Sequence, residues 1–212
     1  MKPALIVVDM QHRFGDCGAP ILKNVVALME SFRAKGLPVF TTQHHDPDPQ
    51  GVLYNWWQMP IEKGSTDWSL LPQIEKAAGT HAHRVTSKTQ YDAFIGTELE
   101  AELKSQDVRV VVVCGCVTNF CCETTARSAF CRNFHLLFPH DANGAYSPEV
   151  HQRSLENIRL GFGPTPDTAA ILGALQDAQV GAELHSDHVV GAKEEGKRTH
   201  SFERVQQLLE KR

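Results

Sequence analysis

The 212-residue sequence predicts an α/β fold: a three-layer sandwich with a mainly parallel, Rossmann-like sheet and helices on both faces. Three observations point there. Short runs such as Leu5–Val8 and Val110–Cys114 are apolar at every position, the pattern of strands buried on both faces rather than one. Between those runs the apolar residues recur at helical spacing, so strands and helices alternate, as they do where crossovers link parallel strands. Finally, Asp9, Lys88 and the turn Gly115 to Cys121 each follow a predicted strand, at the carboxyl ends where such sheets bind ligands.

The elements follow in order. Leu5–Val8 is the first strand. Ile21, Leu22, Val25, Val26, Met29 and Phe32 then keep helical spacing, and Lys35-Gly36 stops that helix. Leu37–Thr42 is the second strand. Asp46–Gly51, with Pro47 and Pro49, is loop. Val52–Trp68 holds all three tryptophans and no clean period. It reads as a long ordered loop, a length that usually serves function. Arg84–Ser87 is a short strand, Thr97–Lys104 a helix, and Val108–Cys114 the strongest strand of the chain. Thr118–Arg132 is helical and His135–Phe138 is a strand. Ser147-Pro148-Glu149 starts another helix with a cap, a proline at the first position and a carboxylate at the positive end. Asp167–Leu175 is helical. Thr199–Lys211 is amphipathic, with Phe202, Val205, Leu208 and Leu209 on one face for the core or a second subunit. The chain therefore divides into a domain over residues 1–180 and a C-terminal extension over 181–212.

Composition excludes several classes of partner. A net charge of −4 supplies no basic field, so no nucleic acid or anionic membrane is expected. No apolar run approaches a membrane span. The apolar run Ala4–Val8 is broken by Asp9 and makes no signal-peptide core, so the expected compartment is cytoplasmic. Five of the six cysteines lie between 114 and 131. In a cytosolic chain that clustering speaks for free thiols, metal binding or catalysis rather than a disulfide framework.

Three residues carry chemistry. Cys121 sits between the strongest strand and a helix, where the helix dipole and free amides lower a thiol pKa and can hold an oxyanion. The plainer alternative is a small buried hydrophobe. Asp9 at a strand end is placed as a general base, or else as a turn residue. Lys88 would stabilise a nearby thiolate or carboxylate, or else is a solvated charge.

In order, "LIVVDMQHRF", "SKTQYDAFIGTELEAEL" and "VVVCGCVTNFCCETTARSAF" resemble the isochorismatase-like cysteine hydrolases over roughly residues 4–162. That family includes nicotinamidases, N-carbamoylsarcosine and ureidoacrylate amidohydrolases, and isochorismatases proper. The resemblance implies a six-stranded parallel sheet and a homo-oligomer. It implies a triad of Asp9, Lys88 and Cys121, a cis peptide at Cys116-Val117, and an oxyanion hole from the amides of Val117 and Cys121. It implies a covalent route, in which a Cys121 thioester forms from a small amide and is then hydrolysed. The place for the sixth strand is Phe162–Thr165, where Pro164 fits only an edge or a turn.

Departures from the family narrow the expectation. Isochorismatases proper commonly lack the cysteine, so Cys121 argues for C–N bond cleavage. Nicotinamidases carry an Asp-x-His…His metal motif. Here the region holds His44, His45, Asp46 and Asp48 at a different spacing, so no metal and no other cofactor is expected. Cys122, about 100° round the helix from Cys121, is expected in the core. Gln11, Phe14, His45, Trp56, Trp57 and Phe120 are the candidate substrate contacts, an aromatic wall suited to a planar or apolar small molecule. Two other functions remain open on sequence: an isochorismatase-type vinyl-ether hydrolase, and a non-catalytic binding or assembly member of the fold. A redox role for the cysteine cluster is a further one.

Overall fold

A computed structural model describes residues 1–180 and contains one six-stranded parallel sheet. Its strands are β1 (Lys2–Val8), β2 (Val39–Thr42), β3 (His83–Val85), β4 (Val108–Cys116), β5 (His135–Leu137) and β6 (Asn143–Gly144). The order is β3-β2-β1-β4-β5, and β6 pairs with Gly115 and Cys116 at the end of β4. The helices are α1 (Gly15–Gly18), α2 (Leu22–Ala34), α3 (Val52–Trp57), α4 (Pro72–Ala78), α5 (Leu99–Ser105), α6 (Glu123–Cys131), α7 (Pro148–Gly161) and α8 (Thr168–Val180). Among the described residues no helix is long and apolar enough to cross a membrane.

The central strands are apolar over Ala4–Val8 and Val110–Cys114 because each feeds two cores. Leu5, Val7, Val110 and Val112 pack with α2 and with Ile74 and Ile171 on one face. Ala4, Ile6, Val8, Val111 and Val113 pack with Leu99, Leu103, Ala126, Leu155 and Ile158 on the other. Side chains alternate between faces along a strand, so a strand with cover on both sides shows no polar alternation.

Three elements differ from the expectation. The stretch read as pure loop contains α3. None of its residues is buried, and at six residues it is too short for a helical period to stand out in the sequence. Seven-residue α4 was too short to register, although Pro72 starts it and Ile74, Ala77 and Ala78 are buried. The sixth strand forms at Asn143–Gly144 and not at 162–165. The amide N–H groups of Phe138 and His140 donate to the carbonyls of Pro164 and Pro166, at 3.1 and 3.0 Å. Neither proline has an N–H to return, so that segment lies along β5 without building a ladder. Gly144 instead approaches the chain so closely that a Cβ would sit 2.1 Å from the Cys17 carbonyl oxygen. The amphipathic segment at 199–211 lies outside the described residues.

Candidate active site

The strand order brings the carboxyl ends of β3, β2, β1 and β4 side by side, and each supplies one polar group. Asp9 follows β1 with φ 45°, a left-handed turn that takes it out of the strand. Thr42 ends β2. Its hydroxyl donates to Asp9 Oδ1 at 2.6 Å and accepts from the Asp9 amide at 3.1 Å. Lys88 lies just past β3, and its ammonium donates to Asp9 Oδ2 at 2.5 Å. The same Nζ stands 3.5 Å from Cys121 Sγ. Cys121 itself sits in a single π-helical turn, Thr118–Cys122, between β4 and α6. Gly115 makes the approach of β4 to β1 possible: its φ is 122°, and a Cβ there would lie 2.1 Å from the Val8 carbonyl oxygen. The Cys116–Val117 peptide is cis.

Asp9 and Lys88 are wholly buried and Cys121 is 5% exposed. Burial alone would push the Lys88 ammonium towards its neutral form. The Asp9 carboxylate, and secondarily Cys121, hold its pKa above the ordinary lysine value instead. A buried ion pair of this kind persists only when each charge has its partner in place. The Cys121 thiol is pushed up to about 12, first by burial, against which Lys88 pulls down and Asp9 pushes further up. This corrects the sequence expectation of a lowered thiol pKa at a helix start. Desolvation outweighs the favourable charge of Lys88. Cys122 lies in the core, as expected from its position on the helix.

A cavity of about 180 Å³ opens onto Cys121. Phe14, Trp57, Tyr91 and Phe120 form its aromatic side. Tyr91 stacks on Phe120 with ring centroids 5.4 Å apart, and Trp57 meets Phe120 edge-on at 5.5 Å. Trp57 Nε1 donates to the Tyr91 hydroxyl at 2.7 Å, which ties α3 to the segment carrying Lys88. Polar groups are few: Arg13, His44 and Asp46 line the cavity, and Arg13 faces Asp67 at 3.6 Å.

The sequence-predicted contacts separate in space. Phe14, Trp57 and Phe120 are in the cavity wall. Trp56 is not, and is 75% exposed. Gln11 is buried but its amide is spent on the backbone, donating to His44 O and Trp68 O and accepting from His44 N. It braces the loop that carries His44. His45 is also absent from the wall, and its amide N–H donates to Lys88 O at 3.1 Å. Its neighbour His44 takes the wall position. Thr42, Arg13, Tyr91 and Tyr146 were missed. Thr42 alone had a signal, since it closes a predicted strand at the carboxyl end.

Of the four residues nearest to a metal set, two meet each other and one meets the backbone. His44 Nε2 is 3.0 Å from Asp46 Oδ1, and Asp48 Oδ1 accepts from the Gln50 amide. Among the described residues no group of three or more His, Cys, Asp or Glu side chains is arranged to hold an ion. The donor set does not fit the divalent site that nicotinamidases carry.

A family model described as the isochorismatase domain matches residues 3–170. Nicotinamidase 3 of Arabidopsis thaliana is 37% identical over 162 residues, covering 75% of this chain and 81% of that protein. N-carbamoylsarcosine amidase of an Arthrobacter species is 28% identical over 188 residues, covering 81% and 70%. Among solved structures, a cysteine hydrolase from Pseudomonas syringae pv. phaseolicola 1448A superposes with a TM-score of 0.76 at 27% identity, covering 83% of this chain and 93% of that one.

Proposed function

Since the chain belongs to the isochorismatase family of hydrolases, we propose that it cleaves the C–N bond of a small planar amide through a thioester on Cys121. The observation that carries this reading is the buried cluster itself, with Lys88 Nζ 2.5 Å from Asp9 Oδ2 and 3.5 Å from Cys121 Sγ. The amidase names of the relatives support the bond type.

The chemistry follows from the resting protonation. Asp9 takes the Cys121 proton as the sulfur attacks the amide carbonyl. Lys88 keeps its charge and offsets the negative charge that moves from carboxylate to sulfur to oxygen. The amides of Val117 and Cys121 hold the oxyanion of the tetrahedral adduct. Protonated Asp9 then gives its proton to the departing nitrogen, and the C–N bond breaks to leave the thioester. In the second half Asp9 draws a proton from water, the hydroxide adds to the thioester, and the sulfur leaves with that proton. Burial disfavours the thiolate, so Asp9 takes the proton as the carbon–sulfur bond forms.

The test is ammonia release from a panel of planar carboxamides, with acid-quenched enzyme read by peptide mass spectrometry. The expected result is turnover of at least one amide and an acyl adduct on the Cys121 peptide, with both lost in Cys121→Ser. A folded enzyme that releases no ammonia and carries no adduct across the panel would overturn the reading.

A further inference from the structure

The turn that carries Cys121 is supported from outside the cavity as well as from within it. Thr118–Cys122 is a single π-helical turn, a rare geometry found mostly at functional sites. Inside it, the N–H groups of Phe120 and Cys122 both donate to the Val117 carbonyl, at 3.1 and 3.2 Å. The turn therefore closes on Val117, whose amide is one half of the oxyanion hole in the proposed reaction. On its outer side the Thr118 hydroxyl stands 2.9 Å from Nδ1 of His151, a residue of α7. Thr118 is wholly buried, and neither residue lines the cavity. The proposed reaction gives His151 no part.

The ring's other neighbour decides which group donates. The His140 carbonyl hydrogen-bonds the His151 ring. A carbonyl only accepts, so it draws the ring hydrogen to the nitrogen that Thr118 does not meet. Nδ1 then keeps a lone pair, and the Thr118 hydroxyl donates into it. A proton taken up by the ring puts a hydrogen on Nδ1 too, and the hydroxyl loses its acceptor.

The surroundings favour the neutral ring. His151 is half-buried near the positive end of α7. Burial first, and the charge of His140 last, hold its pKa below the ordinary histidine value against the pull of the His140 carbonyl. Three and four residues away on α7 stand Ser147, Pro148, Ser154 and Leu155, all uncharged, while Glu149 and Arg153 are exposed. On α6, Glu123 and Arg127 pair with each other at 2.7 Å. Asp141, next to His140, accepts from Thr168 and Asn24. The π turn itself holds no charged residue.

We infer that His151 is a positioning residue for the nucleophile: its Nδ1 accepts the Thr118 hydroxyl and holds the π turn so that the amides of Val117 and Cys121 converge on the oxyanion. This rests on the thioester reading for the identity of the reacting sulfur. Protonation of His151 releases the turn, so the sulfur should lose its aligned hole as the pH falls through the ring's own titration, below about pH 6.5. Thr118→Val, which keeps the shape of the side chain and removes the hydroxyl, should have the same effect at every pH.

The experiment follows the reversible addition of benzaldehyde to Cys121 in the full chain, by NMR of a ¹³C-labelled carbonyl carbon, from pH 5 to pH 8.5. The C–S bond forms, the C=O π bond opens and the thiol proton ends on the oxygen, so the hole is read without amide turnover. In the parent the adduct constant is expected to hold level above pH 7 and to fall about tenfold towards pH 5. The midpoint of that fall should match the titration of His151 in ¹⁵N spectra, with Nδ1 free of hydrogen at pH 8. These parent measurements decide the matter if a variant does not fold. In His151→Asn the side-chain oxygen takes the place of Nδ1 and cannot be protonated, so most of the pH 8 constant should return without the fall. His151→Leu and Thr118→Val should each lose about tenfold at pH 8, and the double variant no more than either. A hydrogen on Nδ1 at pH 8, a fall just as steep in His151→Asn, additive losses in the double variant, or no adduct in the parent would overturn the inference. The expected results in a chain that releases no ammonia from any amide would sink the hydrolase reading and leave this one standing. Ammonia release with a pH profile unchanged in His151→Asn would do the reverse.

Discussion

The strand-end centre and the segment that covers it are built on opposite principles. Asp9, Lys88 and Thr42 have no exposed surface, and Lys88 and Thr42 both pin Asp9, at 2.5 to 3.1 Å. The cover, residues 43–71, carries α3, which buries none of its residues and leaves Trp56 75% exposed. Gln11 braces the ends of that segment at His44 and Trp68, while α3 itself is tied down through Trp57 to Tyr91 at 2.7 Å. Charge chemistry in a dry site needs groups that do not reorganise. Admitting and sorting ligands needs a wall that can differ between relatives without disturbing that chemistry. The two regions should therefore answer mutation in different measurements: the centre in kcat and global stability, the cover in KM and ligand ranking.

The largest effect is expected where the charge pair is broken. Lys88→Met leaves the Asp9 carboxylate buried without its counter-ion. Stability should fall by about 3–5 kcal/mol, and kcat by on the order of 10³-fold, read by urea unfolding and ammonia release. The double variant Asp9→Asn/Lys88→Met removes both charges and should recover a large part of the stability and none of the activity. If Lys88→Met were as stable as the parent, the pair would not be the anchor of the centre, and the contrast with the cover would collapse.

The next effect is on pH dependence and again belongs to the interior. Burial raises the thiol pKa of Cys114, Cys116, Cys121 and Cys122 above the ordinary value. Between about pH 8.5 and 10 the unfolded chain loses those protons while the folded chain keeps them, with lysine still protonated in both. The unfolded state then binds fewer protons, so stability must fall as pH rises, by up to about 1.4 kcal/mol per pH unit for each thiol that titrates. Urea midpoints at pH 8 and pH 10 measure it. Cys122→Ala, which removes a core thiol away from the cavity wall, should make the slope shallower by one proton's share. A midpoint that stays level over that range would contradict the burial of these thiols.

The same contrast decides what was legible in the sequence. Leu5–Val8 and Val110–Cys114 announce themselves because two-sided burial makes every position apolar. Asp9, Lys88 and Cys121 are legible because the chemistry of a parallel sheet gathers at strand ends. Thr42 obeyed that rule and was still passed over, since a threonine in a strand reads first as a β-former. The cover gave no such signal. α3 is six residues long, too short for its period to stand out, and neither Trp56 nor Trp57 tells from sequence which of two adjacent indoles turns inwards. Tyr91 and Arg13 reach the cavity through tertiary contact alone. Register inside an irregular segment also explains why His44 and not His45 lines the wall: a shift of one residue changes which ring faces it, and the Gln11 brace on the His44 backbone and the bond from the His45 amide to Lys88 O fix it.

The smallest effects are expected in the cover, and they sharpen the comparison most. Tyr91→Phe keeps the ring that stacks on Phe120 and deletes the hydroxyl that Trp57 Nε1 donates to. The bond is solvent-exposed, so its loss should leave stability within about 0.5 kcal/mol. The indole N–H can turn to water, and α3 is then held over the cavity by packing alone. Ligand binding must restore the closed arrangement, at the worth of one modest hydrogen bond. KM should therefore rise by about two- to five-fold, with kcat unchanged. Trp56→Ala, one residue away and outside the wall, should change neither. A kcat loss in Tyr91→Phe comparable to that of Lys88→Met would mean that the hydroxyl acts on the reacting atoms, and the division between a rigid centre and an adaptable cover would have to be redrawn through Tyr91.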